Sequence, residues 1–320
     1  MPAFSAFRAV LSGTSVAIKK GYWLGGQTTN SGSSRTDAIQ GWNFVTEVIF
    51  AVTEVLTKTR DKLPVGNVGN IVKGWLGGGS IDPGGAAGRT NEIEGFAYVT
   101  ETADFPAITI GRKRSGTLAT SGLTKGYWAG GYDGDPAVPN VDIDGINYAT
   151  EATITPILAL SIATGFGAGT QSLERGYWAG GDIGFPAFGD DIEGIIFATE
   201  LTTSTTATLR QNKETVAGWA SSLTGYWAGG FNSSIIPIDE IDGLTFAGEV
   251  STTPAAVLSL ARASVSSISG QEAGYIGGGQ VTAPVDTIDG MSFFTETAIN
   301  PAAVMPTTLK GQGGLQPWPQ

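Results

Sequence analysis

Six glutamates recur along the chain at nearly equal intervals: Glu47, Glu101, Glu151, Glu200, Glu249 and Glu296. Carboxylates in pairs can run general acid–base chemistry or glycoside cleavage, and carboxylates on a glycine-containing loop suit a hard cation. Two further groups have that second form, Asp133-Gly134-Asp135 and Asp190-Asp191, although neither carries the full spacing of an EF-hand loop. The chain has no His and no Cys. Imidazole acid–base catalysis, thiol chemistry, Cys/His zinc sites and disulfides are therefore excluded together. No Ser-His-Asp set, phosphate-binding loop or dinucleotide fingerprint occurs. Six glutamates at one register read as a repeated structural contact rather than as six active sites, and the remaining acids are too many to nominate one catalytic pair. The expectation is a protein with no enzymatic activity, no cofactor and no assigned metal.

What positions the glutamates is a repeat. Each closes a phrase Ile-acid-Gly-x-x-aromatic-x-Thr-Glu that begins at Ile39, Ile93, Ile143, Ile192, Ile241 or Ile288, with Gln40 in place of the acid in the first copy and Gly248 in place of Thr in the fifth. Each phrase follows another, Gly-Tyr-Trp-Ala-Gly-Gly, intact from Gly126, Gly176 and Gly225, with Leu24 for Ala in the copy from Gly21. Degenerate copies are Gly74-Trp75-Leu76-Gly77-Gly78 and Gly274-Tyr275-Ile276-Gly277-Gly278. The Ile-to-Glu separation is constant while the stretch between the two phrases varies, so the first is a rigid element and the second a loop. A period of about fifty residues marks a ring of small sheets.

Each repeat divides into four short strands, a to d. In the third these are Ser115–Thr120, Gly126–Gly131, Asp142–Glu151 and Thr153–Leu160. No segment keeps a 3.6-residue apolar period, and Gly and β-branched residues are frequent, which argues against helix. The expected fold is all-β: a six-bladed β-propeller with four antiparallel strands per blade. Alternation along strand b places Trp23, Trp75, Trp128, Trp178 and Trp227 on one blade face, and Tyr22, Tyr127, Tyr177, Tyr226 and Tyr275 on the other. Both faces pack against neighbouring blades, so the tryptophans read as core, with sugar stacking as the alternative. Arg8, Arg60, Arg112, Arg210 and Arg262 recur near the start of strand a and are the expected partners of the six glutamates across blade boundaries.

An Arg before strand a, a Gly-Gly doublet ending strand b and spaced aromatics make the chain resemble Kelch repeats. The doublets are read as Gly25-Gly26, Gly77-Gly78, Gly130-Gly131, Gly180-Gly181, Gly229-Gly230 and Gly277-Gly278. The Trp precedes the doublet here instead of following it, so the likeness is to a variant of that family. It implies a propeller that binds other proteins. The copper oxidases built on such propellers need His and Cys ligands that this chain lacks. The particular wording of the repeats also resembles tail-fibre and other virion-surface proteins of tailed bacteriophages.

Gly is 48 of 320 residues without a collagen period, clustered where tight turns fall. The net charge is −11, which opposes nucleic-acid binding. The b–c loops carry nearly all of it, those of repeats three to five most. Mixed with these acids are apolar residues, and the partner-binding rim is expected at Tyr132, Asp133, Asp135, Phe185, Phe188, Asp190, Asp191, Phe231, Ile235 and Ile236. The alternatives are that these side chains cap the blade ends or bind a glycan. The propeller is expected over 1–308 and an extended tail over 309–320, with Trp318 anchoring the tail to a partner or to the ring. Closure is expected by packing of first and last blades, with residues 2–7 as an added edge strand. No secretory signal, membrane-spanning run or heptad stalk is visible.

These readings converge on a non-enzymatic virion structural protein, made in the host cytoplasm. It would dock to other virion proteins and recognise a host surface receptor or glycan, without inserting into a membrane. A cellular Kelch-like interaction scaffold and a carbohydrate-binding propeller are the alternatives.

Overall fold

The computed structural model describes residues 19–31, 34–81, 88–104, 108–134, 136–156 and 159–318. They form a six-bladed, all-antiparallel β-propeller with four strands per blade. Blade four shows the plan: Ala168–Gln171, Arg175–Ala179, Asp191–Ile196 and Leu201–Thr208 lie side by side in chain order from the axis outwards. Blades three, five and six repeat it. Blade two is less regular. Its outer edge is split into Thr102–Asp104 and Thr109–Arg114, both on Thr90–Ala97. Its inner position is held by residues 65–70, where the Trp75 N–H donates to Val68 O at 2.8 Å.

The ring closes through the C-terminus. Gly313–Leu315 pair antiparallel with Lys20–Leu24 and supply the innermost strand of blade one. The extended tail expected over 309–320 is thus corrected over 309–318. Residues 309–318 belong to the ring, and Trp318 is buried, 3 % exposed. The segment looked like a tail because Gly and Pro dominate it. Yet inner strands here are built from small residues (Ala-Gly-Thr-Gln, Ser-Ser-Ile-Ser), which Gly-Gly-Leu matches. Residues 2–7 and Arg8 lie outside the described residues.

Register corrects two of the repeat assignments. Tyr22, Tyr127, Tyr177, Tyr226 and Tyr275 each face the Gly of the Ile-acid-Gly phrase, and in blade two that place is taken by Trp75, opposite Gly95. Trp75 is therefore a member of the tyrosine series. The tryptophan series runs Trp23, Leu76, Trp128, Trp178, Trp227 and Ile276. The left-handed doublets of blades two and six are accordingly Gly78-Gly79 and Gly278-Gly279. A third Gly in each copy allowed the shift to go unseen.

The two series hold neighbouring blades together. Each residue of the tyrosine series packs on an aromatic at the outer end of strand c in the next blade. Trp75 lies 4.8 Å from Tyr148, Tyr177 5.5 Å from Phe246 and Tyr226 6.0 Å from Phe293, all nearly parallel. The tryptophan series points the other way: Trp128 covers Gly77 of blade two, and Trp23 covers Gly277 of blade six. Each large ring removes on the order of 150–250 Å² from water, so the core is six inter-blade seams rather than one centre.

Candidate functional site

Most of the charged residues singled out from the sequence are consumed by the seams. The six repeated glutamates occupy one turn position after strand c, all left-handed with φ between 50 and 58°. Each reaches back to the preceding blade. Tyr22 donates to Glu101 at 2.9 Å, Tyr127 to Glu200 at 3.0 Å, Tyr177 to Glu249 at 3.0 Å, Tyr226 to Glu296 at 2.9 Å and Tyr275 to Glu47 at 2.5 Å. Where Trp75 replaces Tyr, the Lys73 ammonium reaches Glu151 at 2.7 Å. Lys20, Lys125 and Arg175 add ion pairs to Glu101, Glu200 and Glu249. Burial, then the neighbouring carboxylates, pushes the tyrosine hydroxyls far above their ordinary range, so they remain donors.

The arginines expected at these glutamates pair elsewhere. Arg60 and Arg262, fully buried, meet Glu94 and Asp289, the acids of the Ile-acid-Gly phrase in the next blade. Arg114 and Lys213 do the same with Asp144 and Asp242, and Arg210 joins Asp242 at 2.7 Å. Arg112 instead pairs with Asp133 and Asp142 on the surface. Two seams depart together in both partners. Glu193 has no cation among the described residues because Thr164 stands in the arginine's place, and it accepts from the Ser161 and Ile162 backbone and the Ser161 hydroxyl. Gln40, which has no charge, faces the seam where the place is held by Leu309. Burial lowers the guanidinium pKa of Arg60, Arg114 and Arg262, opposed by the paired acids.

The expected b–c rim separates into inward and outward residues. Tyr132 and Phe188 are buried, and Tyr132 stacks on Phe166 with centroids 5.2 Å apart. Asp133 is engaged by Arg112 and Asn140. Phe231 is half-buried beside the axis, and Trp318 is inside the ring. Asp135 lies outside the described residues. Asp190 is half-buried and Asp191 exposed. Phe185, Ile235 and Ile236 point outward, Phe185 at 67 % exposure. Ile235 does so with φ 59°, a costly backbone for a β-branched residue. No group of three or more carboxylates among the described residues has a metal-binding arrangement.

A second surface was missed from the sequence. On the opposite face, formed by a–b and c–d turns, apolar side chains stand in solvent in successive blades. Phe294 is 96 % exposed, Val99 87 % and Leu223 74 %, and Val45, Ile71 and Leu173 join them. Shallow grooves run between these turns at the blade four–five and five–six seams. The available signal was Leu, Val or Phe at turn positions where Ser and Thr surround them.

The architecture defines the class: a six-bladed β-propeller scaffold of the kind that supports protein–protein interaction. No protein-family model matches the chain, and no curated protein matches it either. No helix among the described residues is long and apolar enough to cross a membrane.

Proposed function

We propose that the protein is a non-enzymatic structural component of a tailed-bacteriophage virion that docks onto other virion proteins. The observation that carries this reading is the apolar ring of a–b and c–d turns, with Phe294, Val99 and Leu223 almost wholly in solvent. Apolar side chains grouped on one face of a rigid disc mark a docking surface. The seam carboxylates, by contrast, are engaged by cations, hydroxyls or backbone N–H groups of neighbouring blades. Docking by this face leaves the acidic b–c loops, with Phe185, Ile235 and Ile236, turned outward to meet a host surface. The likeness of the repeat wording to virion-surface proteins supports the setting.

Density-gradient fractionation of tailed-phage particles, followed by mass spectrometry, tests the setting. The chain is expected in the particle band. Recovery solely in the soluble fraction of uninfected cells contradicts it. The triple variant Val99→Ser, Leu223→Ser, Phe294→Ser tests the surface: it is expected to fold normally and to be lost from the particle band.

A further inference from the structure

The axis of the ring ends in a blind cup on the b–c face. Six residues, one per d–a connection, take the same left-handed backbone: Lys62, Gly116, Phe166, Thr215, Ser264 and Gly311, with φ from 51 to 66°. Their backbones form a circle of hydrogen bonds. The Gly116 N–H donates to Lys62 O at 2.8 Å, Phe166 to Gly116, Thr215 to Phe166, Ser264 to Thr215 at 3.0 Å and Gly311 to Ser264 at 2.9 Å. Leu63 N–H closes the circle on Gly311 O at 3.4 Å. Below it, Val65 O accepts from both Ala119 and Gly169 at 3.0 Å, and the Val65 side chain packs against the cores of blades four to six. That side chain crosses the axis and makes the floor. The cavity above it is about 280 Å³, at the lower end of ligand sites and of the size for a single ring.

The six positions diverge where everything else in the repeat agrees. Glycine serves the circle at two of them without cost. A side chain at such a backbone is strained; Phe166 offsets this by stacking on Tyr132, whereas Lys62 makes no salt bridge among the described residues that would offset it. The charges are also polarised. Lys62 and Lys310 stand at adjacent connections; Lys62 has no salt bridge among the described residues, and Lys310 donates to the neutral Asn30 Oδ1 at 2.7 Å and Gln280 Oε1 at 2.6 Å. Asp61 between them is neutralised by Arg35 at 2.5 Å. Glu214 stands three blades round the ring from Lys62, across the cup. Amides of Gln27 and Gln280 and hydroxyls of Thr215 and Ser264 fill the wall between.

We propose that this cup binds a small carboxylate-bearing sugar, a uronic acid, with its carboxylate at Lys62 and Lys310 and its hydroxyls at Glu214 and the amide wall. The cup lies on the face opposite the apolar ring and needs no partner there.

Calorimetric titration of the full chain with galacturonate, trigalacturonate, galactose and acetate at low salt tests it. Galacturonate is expected to bind saturably, and galactose and acetate at least tenfold more weakly. Trigalacturonate binding at least as tightly identifies a polysaccharide end as the source, whereas binding of the monosaccharide alone identifies the free sugar. Lys62→Gly installs the residue that two other blades carry, so its melting midpoint should hold or rise while galacturonate affinity falls at least tenfold. No saturable binding, equal binding of galactose or acetate, or wild-type affinity in folded Lys62→Gly would each overturn the assignment.

Discussion

Tyr275 and Glu47, 228 positions apart in the chain, share a hydrogen bond of 2.5 Å that seals the last blade to the first. The same contact recurs at the next seam inward, Tyr226 to Glu296. Neither glutamate pairs with a cation among the described residues, because Ala273 and Thr224 stand where other blades carry Lys or Arg. Among the described residues the phenol is the carboxylate's side-chain donor at these two seams.

Tyr275→Phe is therefore expected to cost about 1–2 kcal/mol, the range for a hydrogen bond to a charged group with partial exposure. Tyr177→Phe should cost less, since Arg175 continues to hold Glu249. Urea denaturation of the two variants side by side measures the difference. Equal losses would show that the cation contributes nothing at this register.

The buried ion pairs carry their own control. Arg262→Leu alone strands Asp289 in the seam and should cost about 3–5 kcal/mol. Arg262→Leu with Asp289→Gln rebuilds the pair that the ring already uses between Leu309 and Gln40, and most of the loss should return. A double variant as unstable as the single one would mean that the seams are not interchangeable. The same denaturation series reads both.

The glycine doublets are a steric requirement. A Cβ on Gly130, whose φ is 59°, would stand 2.2 Å from Thr164 O. Gly130→Ala should lose at least about 3 kcal/mol, as expected where a special backbone and a clash coincide. Phe166→Gly relieves the left-handed strain but gives up the stack on Tyr132, so its melting midpoint should fall, though by less than that of Gly130→Ala. Calorimetry of the two variants checks this order.

Glu214 sets a pH dependence. Burial, and then the nearby Asp182, pushes its carboxyl up to about 7. The folded chain therefore holds a proton that the unfolded chain releases near the ordinary glutamate value. Stability from this group is complete at acidic pH, falls as pH rises through about 7 and is flat above. The Glu214→Gln variant should lose that slope. Melting midpoints between pH 5 and 8 for the two proteins check the sign, and a wild-type rise with pH across this window would contradict it.

The number of blades, their antiparallel build and the structural use of the repeated glutamates were legible because two phrases kept register through six copies. The partners of those glutamates were not. Arg60 and Arg262 lie near strand a at the right period, but which of two acids they meet depends on which side of the blade the side chain leaves, and periodicity does not report that. Trp75 misled because Gly77 stands where the intact copies carry Ala, so the run of three glycines let the phrase be read one residue out of register, which assigns Trp75 to the wrong face of the strand. The axial cup was invisible for the opposite reason. Its members agree only in backbone angle, and Lys62, Phe166 and Ser264 share no side-chain pattern. The acidic rim was read as one partner-binding set, with capping of the blade ends as the alternative; Phe185, Ile235 and Ile236 are exposed, whereas Phe188 and Tyr132 are buried.

Both faces, the seams and the cup depend on a ring closed by the chain's own C-terminal strand. The chain has no native cysteine, so spin labels can be placed at exposed, equivalent turn positions without interference. Electron-resonance distance measurement on Val45→Cys with Phe294→Cys, across blades six and one, should match Ala247→Cys with Phe294→Cys, across blades five and six. A markedly longer distance for the first pair would mean an open array, and the account would fail.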